Sequence, residues 1–172
     1  MAKKEFITES QTLLQAKHHF PRLDFSESWE RKGDGVKKTE IFFPFEPVSK
    51  GRPRFFRGHA YTPQKTQDYE KKIAEYYKSQ TDDFYDGAIK IKLVFNMPIP
   101  KTTTKKNRQL IASGMIKCTV HKDVDNMGKA LLDSLNGLAY DDDRLITKLT
   151  IIKQYAIDEN VGTLMEICED VE

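Results

Sequence analysis

Cysteine is nearly absent: the chain of 172 residues has two, Cys118 and Cys168, far apart and in no CxxC pair. That argues against a disulfide framework and against a zinc site, and it fits a reducing, cytoplasmic setting. No apolar run approaches the roughly 20 residues needed to span a bilayer, so no membrane partner is expected. Met1-Ala2-Lys3-Lys4 is followed by polar residues rather than an apolar segment, so no signal peptide is expected. There is no GxxxxGK(S/T) phosphate loop, and Ser, Cys and His nowhere combine into a nucleophile arrangement. Internal repeats and low-complexity segments are also lacking. With 38% hydrophobic and 31% charged residues the composition is globular, and the length allows one real core.

Charge is present in blocks. Residues 48–67 carry Lys50, Arg52, Arg54, Arg57 and Lys65 and no acid. Residues 98–122 carry Lys101, Lys105, Lys106, Arg108, Lys117 and Lys122, again with no acid, whereas 158–172 are acidic without a base. Two basic blocks in a chain of net charge +2 point to a polyanionic partner on one face. The plain alternative is a solvated surface, because charge runs are common.

Residues 1–38 read as an N-terminal extension, with a short helix over Ser10 to His19 and loop signals at Pro21, Gly33 and Gly35. From 39 to 172 the pattern is that of one domain. Glu40 to Phe45 reads as a strand, and Pro44 argues that it lies at an edge or ends there. Residues 46–63, with three prolines and two glycines, read as an irregular basic loop, and 64–80 as a helix with Tyr69, Ile73, Tyr76 and Tyr77 on one face. Ile89, Ile91, Leu93 and Phe95 alternate with Lys90, Lys92 and Val94, which predicts a half-buried strand over 87–97. A basic helix is expected within 101–114. The clearest helix covers 124–136, with Val124, Met127, Leu131 and Leu135 on one face and Gly137 as a left-handed cap. Two β-rich runs, 145–156 and 161–168, predict a hairpin. This order gives an α+β, or mixed α/β, fold with one sheet flanked by helices.

The chemistry concentrates in 121–144. A phosphodiester resists attack because its anionic oxygens repel the incoming group. A hard divalent cation polarises the phosphate and delivers hydroxide, and Mg²⁺ needs only a few carboxylates because it keeps several waters. Asp123 and Asp125, an Asp-x-Asp just before the helix, turn the same way if that segment is extended. Asp143 joins them only if the turn after the helix folds back. Lys129, four residues after Asp125, suits contact with the scissile phosphate or the leaving oxygen, or an ordinary i,i+4 ion pair. Asp133 fits the latter role, and Asp123 has its own structural reading as helix N-cap. An EF-hand reading of Asp123 to Gly128 fails at Met127 and at Ser134, where the bidentate Glu would stand.

These residues resemble a known family. Asp123-Val-Asp125-Asn126, then Lys129-Ala-Leu-Leu-Asp133-Ser-Leu-Asn-Gly-Leu-Ala-Tyr-Asp-Asp142-Asp143, is similar to the D-x-D-N…K-A…D-A-L-N-G…Y-x-D-D signature of RusA-like endodeoxyribonucleases. Pro47-Val48-Ser49-Lys50-Gly51-Arg52-Pro53-Arg54-Phe55 and Tyr61-Thr62-Pro63 are similar to the phage and Gram-positive branch, and the likeness runs from about 39 to 168. It implies a homodimer with a small mixed sheet flanked by helices. It also implies symmetric cutting of four-way branched DNA (Holliday junctions) in recombination and repair, with Mg²⁺ as cofactor and Mn²⁺ as a substitute. The family's metal acids fall on Asp123, Asp125 and Asp143, its lysine on Lys129, and its DNA-contacting asparagine on Asn126. Two departures stand out: Met127-Gly128 replaces a bulkier pair, and Asp141 adds a third acid before the usual two.

The resulting expectation is a nuclease in which Lys50, Arg52, Arg54 and Arg57, with Lys105, Lys106 and Arg108, grip phosphates. Phe55 and Phe56 either work on bases at the branch point or pack in the core. The alternatives are a metal nuclease for flaps, forks or RNA, and a catalytically silent junction-binding protein.

Overall fold

The computed structural model describes residues 35–52, 54–56, 59–157 and 160–171, with the backbone alone for 54–56 and 59–61. The chain divides between Asp34 and Gly35, and everything below concerns the unit that begins at Gly35. The expected helix over Ser10 to His19 lies outside the described residues.

One mixed sheet organises the unit. Strand β1 (Lys38–Phe43) pairs antiparallel with β6 (Gly162–Glu169), β6 pairs antiparallel with β4 (Ile89–Met97), and β4 pairs parallel with β5 (Ile146–Tyr155), giving the order β1-β6-β4-β5. As expected from Pro44, which has no N–H to donate, β1 is an edge strand, and it stops at Phe43. The basic loop is more regular than expected. Within it β2 (Arg54–Phe56) and β3 (His59–Tyr61) form a small antiparallel ribbon.

Two expectations about strands are corrected. The chain does not make a hairpin of β5 and β6: β4 lies between them. The short connection from Tyr155 to Gly162 spans two strand spacings, ~10 Å, which seven residue steps cover easily. Strand β4 is also not half-buried; all nine of its residues are buried. Flanked on both sides, it has no solvent edge, and even Lys90 and Lys92 are only 9% exposed. The Lys90 ammonium is held 2.6 Å from Asp170, so the buried charge is paired.

Three helices complete the unit. Helix α1 (Gln64–Gln80) begins after Pro63 and buries Tyr69, Ile73 and Tyr77, while Tyr76 stacks edge-on against Phe45 at 5.5 Å. Helix α2 (Lys105–Ala112) starts later than the sequence suggested, because Thr104 caps it by accepting from the Asn107 N–H at 3.3 Å. It ends before Gly114, whose φ of +74° makes a left-handed turn. Helix α3 (Val124–Asp133) is shorter than expected. The chain leaves it at Ser134, and Gly137, at φ +70°, closes the next turn by donating to the Tyr140 carbonyl at 2.7 Å.

The core lies under one face of the sheet. Ile41, Phe43, Ile91, Leu93, Phe95, Met165 and Ile167 meet Tyr69, Ile73 and Tyr77 from α1 and Met127, Ala130 and Leu131 from α3. Apolar burial of this kind is worth roughly 1.5–3 kcal/mol per large side chain, so it fixes where α3, and the acids at its start, must sit. None of the described helices is long and apolar enough to cross a membrane.

Candidate active site

The approach to α3 bends at His121 and Lys122, where the Lys122 N–H donates to the Val120 carbonyl at 2.7 Å, and it is fastened to the sheet. Lys153 of β5 donates its ammonium protons to the carbonyls of Val120 at 3.0 Å and Lys122 at 2.9 Å. This places Asp123 at the helix N-cap position with φ −73° and ψ 132°. Its side chain makes no capping hydrogen bond; instead it accepts from the Asn126 amide at 3.3 Å. Asp125 follows in the first turn, exposed, and makes no ion pair with any described residue. Both carboxylates therefore stand exposed at the positive end of the helix dipole, and neither bonds a backbone N–H of the helix.

Lys129 is exposed and forms no ion pair with a described acid, so the i,i+4 pairing open to it with Asp125 or Asp133 is not made. Asp133 is taken by another residue. The Lys50 ammonium pairs with it and lies 3.5 Å from Glu70. Burial opposes the charge on Lys50, but the two carboxylates outweigh it and raise its pKa above the ordinary lysine value. Lys50, expected on the phosphate-gripping surface, is thus committed inside the chain.

The acidic turn sorts its three aspartates. Asp141 pairs with the Arg144 guanidinium at 3.2 Å, and Asp142 caps the following 3₁₀ turn (Asp143–Leu145) by accepting from the Arg144 N–H at 2.9 Å. Asp143 is exposed, and its carboxylate has no partner among the described residues. It alone of the three has both oxygens free for an outside ligand.

The two acidic groups sit at opposite ends of α3. The Tyr140 hydroxyl donates to the Leu132 carbonyl at 2.9 Å, which pins the acidic turn to the C-terminal end of the helix. Strand β5 then runs back along α3: Ile151 lies against Gly128, and Lys153 reaches the segment before Asp123. The separation is about the length of a ten-residue helix, ~15 Å at 1.5 Å per residue. A magnesium ion holds its oxygens at about 2.1 Å. Accordingly, no three His, Cys, Asp or Glu among the described residues are grouped so as to hold a metal within one chain. The donors suit a hard cation by their chemistry, three exposed carboxylates with no ion pair to a described residue, but the described residues of one chain do not group them.

The basic residues are distributed around this frame. Arg52 is exposed at the root of the β2–β3 ribbon. Arg54 lies in β2, and Arg57 falls outside the described residues. Lys105, Lys106 and Arg108 are exposed on α2, and the Arg108 guanidinium braces the preceding turn through the carbonyls of Thr103 and Pro100, both at 3.3 Å. Sequence reasoning missed the fastening residues Lys153, Tyr140 and Glu70. Nothing in the local spacing marks Lys153 or Glu70, whereas Tyr140 is the tyrosine of the Y-x-D-D signature, which shows its place but not its role.

A family model described as "Endodeoxyribonuclease RusA" matches residues 44–167. The chain is also similar to "Uncharacterized protein YqaN" of Bacillus subtilis (strain 168), with 29% identity over 129 residues, covering 70% of this chain and 89% of that protein.

Proposed function

The chain belongs to the RusA family of endodeoxyribonucleases, and from that premise we propose that it is a metal-dependent nuclease that resolves four-way DNA junctions as a homodimer. The observation that carries this reading is the pair Asp123 and Asp125. They are exposed at a helix N-terminus, and neither caps the helix nor forms an ion pair with a described residue. Exposed carboxylates without a cationic partner at such a place are available for an external cation.

Asp123, Asp125 and Asp143 would hold the Mg²⁺, with Mn²⁺ as a substitute. When bound, the cation supplies a polarised phosphate oxygen and a nucleophilic hydroxide at neutral pH. Because Asp143 stands about one helix length from the other two, the site is completed by the partner protomer: one chain gives Asp123 and Asp125, the other gives Asp143. A two-fold axis then creates two equivalent sites, which matches symmetric cutting of a symmetric substrate. Lys129, on the exposed side of α3, neutralises charge on the phosphate. Asn126 contacts DNA next to it. Arg52, Arg54, Arg57, Lys105, Lys106 and Arg108 hold the flanking backbone. The nuclease domain is the unit that begins at Gly35, four residues before the boundary at 39 that the sequence suggested. Cytoplasmic recombination and repair is the setting this chemistry fits.

The test is digestion of a labelled four-way junction beside a flap, a duplex and an RNA hairpin, with and without Mg²⁺. Paired nicks in the junction, dependent on the metal, are expected. Preferred cutting of the flap or the RNA moves the protein to another substrate. Binding with no cutting of any substrate makes it a silent junction-binding protein.

A further inference from the structure

Residues 46–51 form a strap that touches the chain on both sides of the acidic pair. Before the pair, the Lys122 ammonium is held by the Pro47 carbonyl and the Glu46 carboxylate, both at 2.7 Å. After it, the Lys50 N–H donates to the Asn126 carbonyl at 2.9 Å. The next residue is fixed as well. The Gly51 N–H donates to Thr66 of α1 at 3.1 Å, and a Cβ at Gly51 would lie 2.8 Å from the Pro63 ring, so the strap passes too close for a side chain. Beyond it the chain enters the basic ribbon β2–β3.

Lys50 closes this arrangement. Its backbone meets Asn126, and its side chain runs along the same stripe of α3 to Asp133, seven residues or two turns further on. Glu70 approaches the ammonium from α1, and its Oε1 is buried with no hydrogen-bond partner among the described residues, so Lys50 supplies its compensating charge. Moving that ammonium to a DNA phosphate would leave two half-buried carboxylates without their shared cation, one of them with a buried oxygen, which the fold resists.

We propose that Lys50 is a positioning residue rather than a phosphate ligand: its ion pair with Asp133 and Glu70 sets the strap so that the acidic start of α3 and the root of the basic ribbon keep one fixed relation. This inference rests on the reading of Asp123 and Asp125 as the chemical centre. A phosphate positioned by the ribbon arginines arrives at those acids only if the strap holds its register. Misplacement by about 1 Å is enough to cost roughly 100-fold in rate.

The experiment compares Lys50→Met, Asp133→Asn, the double variant and Lys50→Arg in the full chain. Single-turnover cleavage is measured at saturating enzyme on whichever branched substrate the wild type cuts best, together with the salt dependence of binding. Both single variants are expected to lose at least tenfold in cleavage, and the double variant to be no slower than the slower single, as for partners in one interaction. Lys50→Arg keeps the rate within threefold. All four keep the wild-type salt slope. A slope lowered by about one phosphate contact in Lys50→Met, or wild-type cleavage by Asp133→Asn, overturns the proposal. Should Lys50→Met not fold, as judged by circular dichroism, Asp133→Asn decides alone, since a freed phosphate-binding lysine would tighten binding there without slowing cleavage. Failure of the underlying nuclease reading is seen separately, as a wild-type protein that cuts nothing or an Asp125→Asn variant that cuts normally.

Discussion

Gly128 and Ile151 touch so closely that a Cβ on the glycine would lie 2.6 Å from Cδ1 of the isoleucine. This contact is why α3 carries a poor helix former in its interior: it lets the helix sit down on β5. Alanine there gains up to ~1 kcal/mol in helix propensity, but overpacking costs about 1–3 kcal/mol. Gly128→Ala is therefore expected to lower stability by about 1 kcal/mol in urea denaturation. Adding Ile151→Val, which removes the colliding methyl, should recover most of that loss. A single variant more stable than the wild type would mean that Ile151 turns aside at no cost.

Asp125→Asn removes a ligand and a negative charge together. Cleavage should fall at least 100-fold with Mg²⁺, while junction affinity holds or improves. A normal cutting rate in that variant places the chemistry elsewhere.

The composite site predicts complementation. Asp125→Asn and Asp143→Asn should each be inactive alone. After the two are mixed and allowed to exchange protomers, each mixed dimer holds one intact site and one doubly damaged site. Nicking of one strand should return, at about a quarter of the wild-type number of sites for random exchange. No recovery, with exchange confirmed by mass, would mean that each chain assembles its site alone.

Arg52 is exposed where the strap meets the ribbon. Arg52→Ala should weaken binding to all DNA structures and flatten the salt dependence of affinity by about one phosphate contact. An unchanged slope removes this arginine from the interface. The same measurement on Lys50 gives the contrasting outcome argued above.

Four tyrosines should make the fold sensitive to alkali. Burial pushes Tyr69 and Tyr85 up to about 12, and burial first, then neighbouring negative charge, drives Tyr77 and Tyr140 above the ordinary value of 10.0. An unfolded chain ionises them near pH 10, whereas the folded chain keeps them neutral. Their contribution is thus complete below pH 10 and declines as the pH rises above it, being lost by about pH 12 for Tyr69 and Tyr85 and only at still higher pH for Tyr77 and Tyr140. The melting temperature should fall across that window. Tyr140→Phe, which gives up the hydrogen bond to Leu132, should flatten the fall while lowering stability at neutral pH by about 1 kcal/mol.

The elements of this fold were legible where local pattern suffices. The helix over 64–80 and the edge strand stopped at Pro44 were found where the periodicity and the missing N–H put them. Partner choice was not legible. A run such as 145–156 shows that it is a strand but not that β4 will separate it from 161–168, because any neighbour of matching register satisfies the same backbone groups. Likewise, alternating Lys90 and Lys92 read as a solvent face until flanking strands enclosed them.

The sequence by itself determined which residues can do chemistry: an Asp-x-Asp before a helix, a lone lysine one turn on, and acids beyond it, because donor type and short-range spacing are local properties. Tertiary structure alone decided which of them remain available. It assigned Lys50 to Asp133, tied Asp141 and Asp142 to Arg144, and left Asp143 following the turn that Tyr140 pins to the far end of α3 from Asp123 and Asp125. The physical reason is that ion pairing falls off within a few ångströms, so its outcome depends on how distant segments pack.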